Sequence, residues 1–342
     1  MRAAVLNAGR IVVRDDVADP RPGPGQVLAR VRACGICGSD LHFARHGERM
    51  LALGREMDGT GGSTDLVELD RDVYMGHEFS AEVLEFGPDT EESAPVGAHV
   101  TAMPLLAGPD GIQPIVYSNS VKGGYGEQLL LSAQLLLEVP NGLPAHHAAL
   151  TEPMAVGLHA VNKSGIQQGE DALVLGCGPV GLAVIAALRV RGIEPIAAAD
   201  FSPARRNLAA TMGAHRTVDP GEETPWGTGD GHRPLVVFEA VGVPGMINDV
   251  LRSAPRGTRV LVVGVCMEDD TISPFFGISK EINVQFALGY DPAEFARSLR
   301  SIAEGEIDVA SLITARIPLD DIGWAFEALD RPEEHCKIIV EP

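Results

Sequence analysis

The chain is short of cysteine, short of positive charge and without a long unbroken apolar run, and each shortage excludes a class of protein. Its five cysteines, Cys34, Cys37, Cys177, Cys266 and Cys336, are odd in number and irregularly spaced. They outline no disulfide framework and suit a reducing cytoplasm with metal-bound or free thiols. Lys and Arg number 27 against 47 Asp and Glu, a formal charge of −20 that argues against nucleic acid or an anionic membrane surface as partner. A nucleotide cofactor is still allowed, because backbone amides at a helix start hold phosphate without net positive charge. Met1–Leu6 leads straight into a strand-like pattern, with no apolar export segment and cleavage site. The longest uncharged stretch, Ala172–Leu188, nearly reaches membrane-spanning length but is broken by glycines and Pro179. No internal repeat or low-complexity segment stands out. The expectation is a cytoplasmic protein acting on a small molecule, binding neither nucleic acid nor membrane.

What is present is a chain of 342 residues, long enough for two domains, with 45% apolar and 22% charged residues as in ordinary globular proteins. The first part reads as β-rich. In Gln26–Ala33, Val27, Ala29 and Val31 alternate with Leu28, Arg30 and Arg32, the period of a half-buried strand. Ala3–Leu6, Ile11–Val13, Ala81–Phe86 and His99–Met103 are further strand candidates, joined by long irregular links into a barrel-like domain. A helix is predicted from just after Pro144 to about Asn162, closed by Ser164 and Gly165. Strands and helices then alternate: strand Ala172–Leu175, helix Val180–Arg191, strand Pro195–Ala199, and a helix capped by Ser202 with Pro203 in its first turn. Leu235–Glu239, Arg259–Val263 and Ile282–Ala287 read as later parallel strands, with a helix near Gly245–Ser253 between the first two. This βαβ rhythm implies an α/β doubly wound sheet. Amphipathic helices near Pro292–Ala303 and Leu319–Leu329 and a strand near Lys337–Val340 complete the chain.

Gly176, Gly178 and Gly181 fit G-x-G-x-x-G between a predicted strand and helix, with Pro179 and Val180 inside the motif. The first glycine permits a tight turn, the second lets backbone approach a pyrophosphate, and the third lets helix pack on strand. Asp200 ends the next strand, nineteen residues after Gly181, where a carboxylate binds ribose hydroxyls. Its charge would repel the 2′-phosphate of NADP, so NAD is expected. Arg205 and Arg206 stand against that, as candidate phosphate partners or as solvated helix residues.

A second group lies in the β-rich part. Cys34–His42 reads C-G-I-C-G-S-D-L-H, His77 and Glu78 follow Gly76, and Glu152 precedes Pro153. Cys34 and Cys37 are by themselves a redox pair or half of a structural zinc site, but no second C-x-x-C completes four thiolates. Together the residues offer a catalytic zinc a thiolate from Cys37, an imidazole from His77 and a carboxylate from Glu78 or Glu152, leaving a position open. Asp40 is a candidate acceptor fixing the histidine tautomer, and Ser39 and His42 lie within reach for passing a proton outward.

This ordered series resembles the zinc-containing branch of the medium-chain dehydrogenase/reductase superfamily over nearly the whole chain. Glu152-Pro153-Met154-Ala155-Val156 is similar to the polyol and butanediol dehydrogenases, where simple alcohol dehydrogenases carry cysteine at the position of Glu152. The resemblance implies a GroES-like catalytic domain, residues 1–150 and 290–342, interrupted by a Rossmann domain, residues 151–289. It implies Cys37, His77 and Glu152 as zinc ligands, Glu78 bound to or behind the zinc, Ser39 and His42 as proton relay, and Val263–Val265 beside the nicotinamide. Cys34 is left as a core thiol. The implied activity is reversible hydride transfer between a secondary alcohol, diol or polyol and NAD; a zinc-free quinone or enone reductase and a non-catalytic NAD sensor are the rivals. Phe43 and Tyr125 are candidate pocket walls, and a homo-oligomer is expected.

Two departures from the family stand out. Val100–Gln128 contains no cysteine where a structural-zinc lobe belongs, so one zinc per chain is expected. The interval from Cys37 to His77 is long, and its extra stretch, 45–73, is either a rim over the active site or a solvated insertion.

Overall fold

The computed structural model describes residues 1–57, 67–109, 111–226, 233–331 and 333–342. Its first large sheet runs, in spatial order, Leu136–Glu138, His99–Ala102, Glu78–Phe86, Gln26–Gly35, Lys337–Glu341 and Ile313–Pro318, with Gln128–Ser132 also paired to Gln26–Gly35. The alternation read from the sequence is realised in its central strand: Val27, Ala29, Val31 and Ala33 are buried, while Arg30 and Arg32 face solvent. A smaller sheet joins Arg10–Arg14, Ala3–Asn7 and Val73–Tyr74, and Leu105–Gly108 pairs with Gly111–Pro114 inside the cysteine-free segment. The last strand, Lys337–Glu341, lies antiparallel to Gln26–Gly35 with Ile339 opposite Gly35 and Val340 opposite Cys34. Sheet pairing thus carries the chain's end to the start of the Cys34–His42 motif.

The second sheet is wholly parallel, in the order Arg216–Val218, Ile196–Ala199, Asp171–Leu175, Leu235–Glu239, Arg259–Val262, Asn283–Phe286. The path works outward from Asp171–Leu175 to one edge, then returns beside that strand and works outward to the other. A crevice opens at that switch point, at the carboxyl ends of the strands. The inner strands read as largely apolar runs because both faces are covered. Ala172, Val174, Val236 and Phe238 pack into one core, and Leu173, Leu175, Val237 and Val260 into another. Among the described residues no helix is long and apolar enough to cross a membrane.

Several elements depart from expectation. The link after Gln26–Gly35 is not irregular: Gly38–Glu56 is a 19-residue helix kinked at His46. Its buried stripe is Asp40, Phe43, Gly47 and Leu51, of which two are not apolar, so hydrophobic periodicity is weak there. Residues 45–56 of the extra stretch are the second half of this helix, and 58–66 lie outside the described residues. The helix expected after Pro144 divides into Ala145–Ala148 and Thr151–Ser164, the second ending at left-handed Gly165. Leu319–Leu329 begins as a 3-10 turn before Ile322–Ala328. Strand Arg216–Val218 and helix Pro274–Lys280 carried too few residues for a periodic signal, whereas Ile313–Pro318 does alternate, with Ile313, Ala315 and Ile317 on the more buried side, and was passed over.

Candidate active site

The candidate site forms where the helix Gly38–Glu56, the turn before strand Glu78–Phe86, the helix Thr151–Ser164 and the end of the chain meet. Cys37 is the N-cap of the first helix, partly exposed, and its backbone N–H donates to Asp40 Oδ2 at 3.1 Å. The same oxygen accepts the Tyr125 hydroxyl at 2.6 Å, while Asp40 Oδ1 faces His77 Nδ1 at 3.5 Å. Asp40 and His77 are both buried. Burial opposes a charge on His77, but Asp40 and Cys37 outweigh it and raise its pKa well above the ordinary value. Glu152, in the first turn of its helix, is pushed up to about 7 by burial, with His77 pulling it down and Glu78 pushing it up. Tyr290, just past the last strand of the parallel sheet, hydrogen-bonds the Glu152 side chain.

Glu78, expected either bound to the zinc or behind it, is engaged by a lysine. Both its oxygens accept from Lys337 Nζ, at 2.7 and 2.8 Å, and the third ammonium proton goes to Ile36 O at 3.0 Å. The pair is fully buried, and the ammonium saturates the carboxylate. Burial opposes the charge on Lys337, yet Glu78 raises its pKa. Among the described residues no three His, Cys, Asp or Glu side chains stand as a closed coordination group. Ser39 is partly exposed and lies beside Tyr117. His42, one turn on, is exposed, and its pKa is lowered by burial, His46 and Arg45. Phe43 and Tyr125 are not walls: Phe43 stacks on Tyr117 in the core, and Tyr125 is buried with its hydroxyl on Asp40. Cys34 is fully buried, and burial pushes its thiol up.

The glycine loop sits at the switch point. Gly176 has φ +88°, and a Cβ on Gly181 would stand 1.9 Å from the Gly176 carbonyl oxygen, so helix Pro179–Val190 approaches its strand only through glycine. Gly178 faces open space, as close backbone approach to a phosphate requires. A cleft of about 640 Å³ opens there, lined by Gly176, Gly178, Asp200, Phe201, Arg205 and Trp226. Asp200 is held by the N–H groups of Cys177 and Ser202, both at 2.8 Å. Arg205 lies 4.0 Å from Asp200, whereas Arg206 is engaged by Asp219 and by the carbonyls of Asp200 and Phe201. Val263 is buried and Val265 half-exposed beyond the strand Arg259–Val262, beside the loop at Gly242.

Comparison with known proteins agrees with both halves of this arrangement. Residues 23–141 match the alcohol dehydrogenase GroES-like domain, and residues 179–304 match the zinc-binding dehydrogenase domain. The chain is 33% identical to (R,R)-butanediol dehydrogenase of Bacillus subtilis over the full length of both chains. The chain belongs to the zinc-containing medium-chain dehydrogenase/reductase family. The crystal structure of 2R,3R-butanediol dehydrogenase from Bacillus subtilis superposes with a TM-score of 0.80 at 30% identity, covering 100% of this dehydrogenase and 99% of that chain. A putative zinc-binding dehydrogenase from Sinorhizobium meliloti, bound to NADP, gives 0.81 at 29% identity, with 100% and 99% covered. Sorbitol dehydrogenase of Bacillus subtilis is 27% identical, with 100% of this chain and 97% of that one covered. The fold of this dehydrogenase is accordingly the GroES-like domain joined to a Rossmann domain.

The residues present in this dehydrogenase fit a zinc ion. Cys37, Glu78 and Glu152 lie near the buried Lys337 ammonium, and Asp40 and Cys37 near His77, so acidic groups outnumber basic ones and the surroundings favour a cation. Asp40 Oδ1 and His77 Nδ1 are buried without a full hydrogen bond and face each other at 3.5 Å. With one proton held between them on the Nδ1 side, a metal would ligate Nε2 by displacing the imidazolium's other proton. Sequence reading missed Lys337, Tyr290 and Tyr117. A lysine opening the apolar run Ile338–Val340 of the last strand was the signal for the first; nothing local marked the other two.

Proposed function

We propose that this dehydrogenase moves a hydride reversibly between a secondary alcohol, diol or polyol and NAD, with one zinc ion per chain. The observation that carries the reading is the His77 imidazole backed by buried Asp40, with the Cys37 thiol and the Glu152 carboxyl of raised pKa each interacting with it. Cys37, His77 and Glu152 would hold the metal, with Glu78 kept apart by Lys337. When bound, zinc supplies Lewis acidity at the substrate oxygen and the nicotinamide takes or gives the hydride. Asp40 fixes the His77 ring through Nδ1, and Tyr125 fixes Asp40. Ser39 accepts the hydrogen bond of the substrate hydroxyl and hands its proton outward to His42, which its lowered pKa leaves neutral and able to accept at pH 7. Butanediol and sorbitol dehydrogenases among the relatives support a diol or polyol as substrate.

NAD is preferred over NADP because Asp200 stands in the cleft where a 2′-phosphate would lie, and Arg206 is already occupied. Gly176, Gly178, Pro179, Val180 and Gly181 would face the pyrophosphate, with Val263 and Val265 beside the nicotinamide. The domains divide near 150 and 290, and the segment 292–312 bridges them, since Ile302, Ile307, Val309 and Leu312 pack on the second core. Homo-oligomerisation is supported by the edge strand Asn283–Phe286 and by exposed Phe275, Ile278, Phe286 and Leu288 around it. A cytoplasmic location rests on the cysteine pattern.

Metal analysis and a panel of diols and polyols with NAD and NADP test the reading together. Cys37→Ala loses the zinc and turnover while keeping NADH binding. Full activity in metal-free Cys37→Ala protein points to the zinc-free reductase, cofactor retained without turnover of any alcohol points to the sensor, and a higher kcat/KM with NADP overturns the cofactor choice.

A further inference from the structure

Glu239 is a buried carboxylate that the chemistry above leaves unused. It ends the strand Leu235–Glu239, beside the switch point of the parallel sheet, and is 1% exposed. Among the described residues no lysine, arginine or histidine pairs with it. Its Oε1 instead accepts the backbone N–H groups of Val241 at 2.7 Å and Gly242 at 2.9 Å, so the side chain reaches forward along the turn that follows its own strand. Burying a carboxylate with no cation beside it is costly, and those two bonds offset the cost only while the turn keeps its shape.

That turn is a spacer within the cleft. On one side Ala240 donates its N–H to Leu175 O at 2.8 Å, at the root of the glycine loop, and a Cβ on Gly176 would stand 2.9 Å from both Ala240 O and a Val241 methyl carbon. On the other side Val263 and Gly264 each donate to Glu239 O at 2.9 Å, and a Cβ on Gly264 would stand 2.4 Å from Gly242 N. Ala240 and Val241 themselves line the cleft. Neither side has slack, so a shift of Val241 and Gly242 moves the segment Val263–Val265 relative to the glycine loop. On the dehydrogenase reading the two sides serve different ends of the dinucleotide. Asp200 follows the strand Ile196–Ala199, on one flank of Asp171–Leu175, and takes the adenosine end. The strands Leu235–Glu239 and Arg259–Val262 lie on the other flank, so the nicotinamide end falls to them.

We propose that Glu239 is the positioning residue that sets the distance between the glycine loop and the nicotinamide-side segment, acting through the Val241–Gly242 turn. The inference rests on the dehydrogenase reading and adds to it a residue that touches neither cofactor nor substrate. What the role requires is reach: one side-chain oxygen must extend to both amides.

The test measures binding of NADH and of AMP to the full chain by calorimetric titration. AMP occupies the adenosine end alone, whereas NADH spans the spacer. Glu239→Asp keeps the carboxylate but draws its oxygen back by a methylene. The expected result is a rise of about tenfold or more in the NADH dissociation constant with AMP held within about twofold, as the loss of hydrogen bonds to a buried carboxylate predicts. Glu239→Gln keeps both the reach and an acceptor oxygen, and brings NADH affinity back to within about threefold of the wild type. Unchanged NADH binding in Glu239→Asp overturns the proposal. So do NADH and AMP weakening together with a lowered Tm, which makes Glu239 a structural residue, and Glu239→Gln binding NADH as poorly as Glu239→Asp, which makes charge the property that matters. Should Glu239→Asp not fold, Gly264→Ala decides, because its methyl group presses on Gly242 N with Glu239 in place. The same split between NADH and AMP then supports the proposal, and unchanged NADH binding overturns it. A wild type that binds neither nucleotide sinks the dehydrogenase reading and the inference with it, whereas a failure confined to the variants leaves that reading standing.

Discussion

Replacing Lys337 by methionine tests the account of the buried ion pair most directly. The ammonium gives all three of its donors to protein, two to Glu78 at 2.7 and 2.8 Å and one to Ile36 O at 3.0 Å, and both side chains are at most 2% exposed. Water cannot replace a partner there. Methionine fills the same length without charge and leaves Glu78 either charged and unpaired or forced to take up a proton. Breaking such a pair from one side costs about 3–5 kcal/mol, a large share of the ~5–15 kcal/mol that holds a typical protein folded. Removing both charges is a different matter, because an apolar pair of similar volume is often neutral or stabilising by about 1–4 kcal/mol. The expected pattern in chemical denaturation at neutral pH is therefore a large loss for Lys337→Met and a substantial recovery on adding Glu78→Met. A single substitution costing under about 1 kcal/mol, or a double variant as unstable as the two losses added, would refute the reasoning.

Two further predictions concern the other domain and the surface. Gly181→Ala places a methyl group 1.9 Å from the Gly176 carbonyl oxygen, so the loop must open; a loss of about 1–3 kcal/mol and weakened NADH binding by fluorescence titration are expected, and unchanged binding would contradict the loop assignment. Asp72 is held below the ordinary carboxylate range chiefly by Arg14, which donates two hydrogen bonds at 3.0 and 3.1 Å, against the smaller opposing effect of burial. Its contribution is present above the ordinary aspartate pKa of about 4 and is lost as pH falls through the depressed folded value. Since both side chains are about a third or more exposed, the difference between wild type and Asp72→Asn should stay within about 1 kcal/mol and shrink on acidification; a difference that grows as pH falls sinks the assignment.

What could be read along the chain was what local sterics and short spacings encode. Gly176 and Gly181 are dictated by a positive φ and a 1.9 Å approach, both within a few residues, so their meaning survives without the fold. The inner strands of the parallel sheet were legible as apolar runs because both faces are covered, and Ser202 and Gly165 marked helix ends through their own chemistry. The ligand candidates Cys37, His77 and Glu152 were legible as an ordered set of residue types.

Tertiary structure alone decided which carboxylate the lysine takes. Glu78 and Glu152 were equivalent candidates until Lys337, 259 residues from Glu78, took both oxygens of the former through the pairing of the last strand with Gln26–Gly35. It also turned Phe43 and Tyr125 inward, the one onto Tyr117 and the other onto Asp40. The physical reason is common to all three. A side chain's type is written at its own position, but its partner, and whether water reaches it, depend on segments that only the folded sheets bring together.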